Sequence, residues 1–177
     1  MTLLQGLGRL SQFDDRGFEA FDANRRGFWR SFAAALFCLP VWFWAQYQQV
    51  STLDAARVPH VLMTQVIAYV VAWLAYPLLM VRVADFFAVW PNYYRYMVAY
   101  NWFRIVLQFI WLPLLVIKLE PAHQTAMYMI AVLVEMIYDW FLARRGLKVA
   151  GTTAAALALI DFLLGLLIDQ IAYASAG

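Results

Sequence analysis

The apolar positions of this chain fall in long unbroken runs, neither alternating nor recurring singly. Five runs, over about residues 30–48, 59–81, 96–117, 122–143 and 149–172, are almost continuously hydrophobic. Each comes close to or exceeds the ~20 residues a helix needs to cross the hydrocarbon of a bilayer. Strands of a membrane barrel would alternate apolar with polar positions, and these runs do not. A lipid-exposed backbone must also satisfy its own hydrogen bonds, which a helix does within one segment. The expected fold is an all-α polytopic membrane protein with five transmembrane helices, residues 30–177 forming one membrane domain. Pro40, Pro77 and Pro113 fall inside the first three runs and predict kinks, because neighbouring helices can take up the freed carbonyls.

Residues 1–29 follow a different pattern. Leu3, Leu4, Leu7, Leu10 and Phe13 recur at helical spacing, Phe18 and Phe21 continue the apolar side, and most of the rest is charged or polar. This predicts one or two short amphipathic helices lying on the membrane surface. No apolar stretch of signal-peptide kind precedes the charges, so this segment is expected to be retained.

Composition agrees with the pattern. The 177 residues are 65% hydrophobic and 14% charged, with a mean hydropathy of +0.66. Soluble domains average about 45–50% apolar and about 25% charged. The net charge of +2 offers no basic patch for phosphates, which excludes nucleic acid as an expected partner. The lipid bilayer is the expected partner, with a second copy or other membrane subunits as further ones. Cys38 is the only cysteine, so no internal disulfide can form.

Charge also predicts orientation. Arg9, Arg16, Arg25, Arg26 and Arg30 precede the first span; Arg82 and Arg95 flank the link between the second and third; Arg144, Arg145 and Lys148 fill the link between the fourth and fifth. With five spans all of these fall on one side, leaving Arg57 and Lys118 on the other and Arg104 inside a span. The positive-inside rule then puts the N-terminus in the cytoplasm and the C-terminus outside, in the inner membrane of a bacterium. Trp29, Trp42, Trp44, Trp90, Tyr93, Tyr94 and Tyr96 sit near the expected span ends, as interfacial anchors would.

Ionisable residues inside the runs are where function is expected to reside. Arg104, Glu135 and Asp161 lie near the middle of three consecutive spans, hence at one depth. Each charge costs about 2.5–3.5 kcal/mol at the bilayer centre, so each is expected to face the bundle and find a partner. One guanidinium can serve two carboxylates. Asn101, Arg104 and Gln108 share a helical face, and Asp139 stands one turn from Glu135, within reach of Arg144 or Arg145. Ala154, Ala158, Asp161, Gly165 and Asp169 form a small-residue face on the fifth span that permits close helix approach.

Two readings of this cluster compete. It either fixes helix order and rotation, or forms a binding pocket or pathway for a proton, ion or polar solute. The first expectation is a small transport-type protein. The alternative is a non-catalytic subunit or assembly factor of a larger membrane complex, and the third a redox subunit. His60 and His123 are the weaker candidates for a metal or haem, since each opens a span beside a proline without ligand-motif spacing. No cofactor is expected. Catalytic serine motifs, phosphate loops and carboxylate-rich metal motifs are absent from the sequence, which argues against an enzyme.

Overall fold

The computed structural model describes residues 1–51, 53–117 and 119–176. Among these the protein is helical and contains no strand. Helix α1 spans Leu3–Leu10, a 3₁₀ turn spans Asp15–Ala20, and α2 spans Arg25–Ser31. Five long segments follow or grow out of them: α3 (Ala33–Val50), α4 (Val58–Phe86), α5 (Trp90–Val116), α6 (Pro121–Gly146) and α7 (Gly151–Ala176). Helix α2 runs into α3 through a joint at Phe32, and together they make the first of five helices long and apolar enough to cross a membrane.

Helix starts and stops follow local chemistry. Pro59, Pro91 and Pro121 stand in the first turn of α4, α5 and α6, where a missing N–H costs no hydrogen bond. Helix α4 ends in a Schellman motif: the Val89 N–H donates to the Ala84 carbonyl and the Ala88 N–H to that of Asp85. Ala88 holds the left-handed position (φ 52°) that glycine usually fills. Consequently only Phe87–Val89 separate α4 from α5, a tighter link than the sequence pattern predicts. Tyr93 and Tyr96 therefore enter the bundle, where they are buried. Their expected place at the membrane interface is corrected by this short link.

Helices α4 to α7 pack in a ring, α4 on α5, α5 on α6, α6 on α7 and α7 back on α4, with α3 lying across α4 and α5. The ring packs most closely at one end. At the end carrying Arg95, Arg144 and Arg145, Met80, Ala84, Tyr96, Met97, Phe103, Leu142 and Ala143 are completely buried. This will be called the basic end. Beyond Leu107, α5 buries no further residue. Before Asp139, α6 buries only Ala131 and Val132.

The N-terminal segment closes the basic end. Thr2 and Gln5 form a reciprocal capping box at the start of α1. Helix α1 crosses the 3₁₀ turn at Gly6 and Gly17; a Cβ on Gly6 would sit 2.3 Å from that of Ala20. Leu7, Leu10, Phe18 and Phe21 are buried in the same core as Tyr96 and Leu142. Phe13 stacks on Tyr138 at 4.7 Å, the Tyr138 hydroxyl donates to the Ser11 carbonyl at 2.7 Å, and the Arg95 guanidinium lies over the Phe18 ring. Protein thus covers much of the apolar side that the sequence pattern assigns to lipid, while Leu4 stays exposed.

Candidate functional site

Arg104 is the hub of the loosely packed half. Its Nη1 donates to Glu135 Oε1 on α6, and its Nη2 donates to Asp161 Oδ2 on α7 and to the Tyr100 hydroxyl one turn back on α5. Tyr100 donates to Asp161 at 2.8–2.9 Å, and Trp111 Nε1 donates to Glu135 Oε2 at 3.0 Å. Both oxygens of Glu135 and both of Asp161 thereby have partners. The guanidinium also lies 4.4 Å from the centroid of the Tyr100 ring, so the tyrosine contributes both a hydroxyl and a π-face.

Asp139 completes the cluster in a way the sequence reading did not anticipate. Its spacing of four residues from Glu135 puts both acids on the inward face of α6. Its Oδ2 lies 4.0 Å from Arg104 Nη2, too long for a hydrogen bond, and its Oδ1 has no hydrogen-bond partner although the residue is only 4% exposed. The expected partners look elsewhere. Arg145 pairs with Asp15 at 3.7 Å, and Arg144 lies over the Trp140 ring. Residue 139 is therefore a buried acid whose obvious cation is already committed to two others.

Asn101 is completely buried beside this cluster. Ser31 donates its hydroxyl to the Phe28 carbonyl, so its oxygen must accept from Asn101 Nδ2 at 2.8 Å. That chain fixes the amide orientation. It leaves Asn101 Oδ1 as a second buried acceptor without a donor.

These groups line a cavity of about 400 Å³ inside the α4–α7 ring. Its basic-end floor is Tyr76, Asn101 and Asp139; its far wall reaches Tyr128 on α6 and Asp169 on α7. Tyr128 lies eleven residues before Asp139 on α6, about 16 Å along the axis. Below the floor, Tyr76 and Tyr96 share a hydroxyl–hydroxyl bond of 2.8 Å within the packed core. The cavity therefore extends away from the basic end and is sealed toward it. Gln108 lines its middle and Asp169 its far part.

The histidines lie outside this arrangement. His60 Nε2 is 2.8 Å from the Ser175 carbonyl, tying the start of α4 to the end of α7, and His123 is exposed on α6. Among the described residues no three His, Cys, Asp or Glu groups converge as a metal site requires.

Sequence reasoning missed Tyr76, Tyr100 and Trp111 as site residues. A signal for two of them was present: Tyr93, Tyr96, Tyr100 and Arg104 follow 3–4–4 spacing, one helical face that ends on the charge, and Trp111 continues it two turns on. Tyr76 carries no such mark, since only the close approach of α4 to α5 brings it to the site. Comparison with protein families, with curated proteins and with solved structures finds no match to this chain, so the functional reading rests on the chemistry of the site itself.

Proposed function

We propose that the chain is a small transport-type membrane protein whose cavity admits a proton, ion or polar solute from the face opposite the basic end. The basic end is then cytoplasmic, by the positive-inside rule, and the cavity opens to the outside. The observation that carries the reading is Asp139: a buried acid, lining a cavity, with an oxygen that accepts no hydrogen bond from the described residues. A cluster that only fixed helix order would gain by pairing every buried polar atom, because an orphaned one costs about 1–3 kcal/mol or more when charged. Such unmet capacity is what a site for an exchangeable occupant requires. A cavity closed toward the basic end and extending toward the opposite face also matches one state of an alternating-access cycle.

The test uses Gly165, which lines the cavity and has nothing within 4 Å of where a Cβ would stand. Gly165→Phe should fill the cavity and leave the Arg104 pairs in place. Purified protein in supported membranes would be exposed to a panel of protons, alkali cations, amines, amino acids and neutral solutes, with charge movement and tracer uptake recorded. The expected result is a response to at least one solute, lost in Gly165→Phe at unchanged thermal stability. Silence of the wild-type protein to the whole panel would overturn the transport reading in favour of a subunit whose buried charges are architectural.

A further inference from the structure

Resting on that binding role, we infer that the solute is a small protonated amine, its ammonium N–H groups donating to the Asp139 carboxylate. Charge comes first. Glu135, Asp139, Asp161 and Asp169 line the cavity against the single guanidinium of Arg104, an excess of three negative charges when all are ionised. Among the described residues no lysine or histidine shares the lining, so an anion finds one cation already held by two acids. In a low-dielectric site such an excess must be met by protons or by a bound cation.

Hydrogen bonding narrows the class. The unmet atoms on the floor, Asp139 Oδ1 and Asn101 Oδ1, are both acceptors, and the Ser31 chain keeps the amide oxygen from exchanging places with its nitrogen. An occupant that neutralises Asp139 therefore needs at least one N–H donor beside its charge. A primary ammonium offers three, a quaternary ammonium none. A bare metal ion is a poor match, because the acids are spread around a guanidinium and, among the described residues, do not converge on a point.

The walls supply the remainder. Trp73 and Trp111 line the cavity from different helices, with Trp111 braced edge-on against Tyr128 at 5.2 Å. Aromatic faces attract cations as well as alkyl groups, which suits the amine's charged head and its carbon body together. At about 400 Å³ the space is at the small end of ligand cavities.

The closing experiment measures retention of radiolabelled methylammonium by the purified full chain, with unlabelled competitors. Ethylammonium should displace it; acetate, methanol and sodium should not. Tetramethylammonium, with the same charge and no N–H, should compete at least about tenfold more weakly, the loss expected for a hydrogen bond to a charged group. Asp139→Asn should weaken retention by about tenfold or more by the same reasoning, and Gly165→Phe should abolish it even if the first variant fails to fold. Equal competition by tetramethylammonium, or retention indifferent to both variants, would overturn the assignment. No methylammonium retention alongside a transport response to an acid, a neutral solute or protons alone would sink the amine and spare the transport reading. No retention together with a silent solute panel would sink both.

Discussion

Replacing Arg104 by methionine is the most informative single change to the cluster. The side chain holds Glu135 and Asp161 directly and stands 4.0 Å from Asp139. Removing it leaves three carboxylates at the level of the cavity floor with no cation. Tyr100 would still donate to Asp161, and Trp111 to Glu135, but each is a single neutral donor. Stranding a buried charge in this way costs about 3–5 kcal/mol. For a chain of this length each kcal/mol shifts the melting temperature by about 2–4 °C, so Arg104→Met should melt about 6–20 °C lower. Glu135→Gln provides the contrast. Its amide oxygen can still accept from Trp111, and Arg104 keeps Asp161, so the loss should stay below about 2 kcal/mol.

The assay is thermal unfolding in lipid nanodiscs, followed by circular dichroism, with a compensated variant as third arm. That variant must remove Asp139 as well as the two direct partners, because a carboxylate left 4.0 Å from an absent guanidinium is stranded like the others. Arg104→Met with Leu at 135, 139 and 161 exchanges the whole ionic cluster for apolar groups, which is often neutral or stabilising. It should recover most of the stability lost by Arg104→Met alone and should lose any solute response. An Arg104→Met protein as stable as Glu135→Gln would refute the hub geometry. A compensated variant that is stable and still transports would refute the functional role of the cluster while leaving its geometry intact.

Three further outcomes test other parts of the molecule. Ala88→Gly should stabilise by about 1 kcal/mol, since glycine bears no Cβ penalty at a left-handed position; equal or lower stability in thermal unfolding would deny the strain. Arg16 beside Asp14 holds that carboxyl below its ordinary value of 3.8, so its support for the 3₁₀ turn is full above that pH and lost as pH falls through the depressed value. The protection of the Arg16 and Gly17 amides, as exchange relative to the free-peptide rate at each pH, should fall only in that acid range. Reporter fusions in the α6–α7 link and at the C-terminus should report opposite sides of the membrane, cytoplasmic and external; the same side for both would contradict five spans.

Five spans were legible because lipid imposes one simple demand, an apolar run of sufficient length, and composition meets it without reference to any partner helix. Helix rotation was less legible. Where almost every position is apolar, periodicity no longer says which face meets protein and which meets lipid. The tyrosines of α5 show the consequence. Their residue type suggested an interface, yet the three-residue link after α4 draws Tyr93 and Tyr96 into the core. The amphipathic segment carries the reverse ambiguity. Its apolar stripe is plain in the sequence, but whether lipid or protein covers Leu7 and Leu10 depends on the helix ends it meets, and those lie more than 100 residues away for Tyr138 and Ser11.

Charge was the better guide to the site because its burial in lipid is so costly that rotation follows from it. Arg104, Glu135 and Asp161 must turn inward together, and depth alone places them at one level. The same rule applied to Asp139 should have outweighed the attraction of nearby Arg144 and Arg145. Those arginines sit at the helix end, where water and the Trp140 ring satisfy them, and they gain little by reaching back into the bundle. Asp139, four residues from Glu135, shares its face and hence its depth of burial, so turning one acid inward turns both. A network needed only to hold helices together would be complete with Arg104, Glu135 and Asp161. While ionised, the second acid on α6 adds desolvation and accepts no hydrogen bond from the described residues, which is a cost that an occupant of the cavity can offset and helix packing cannot.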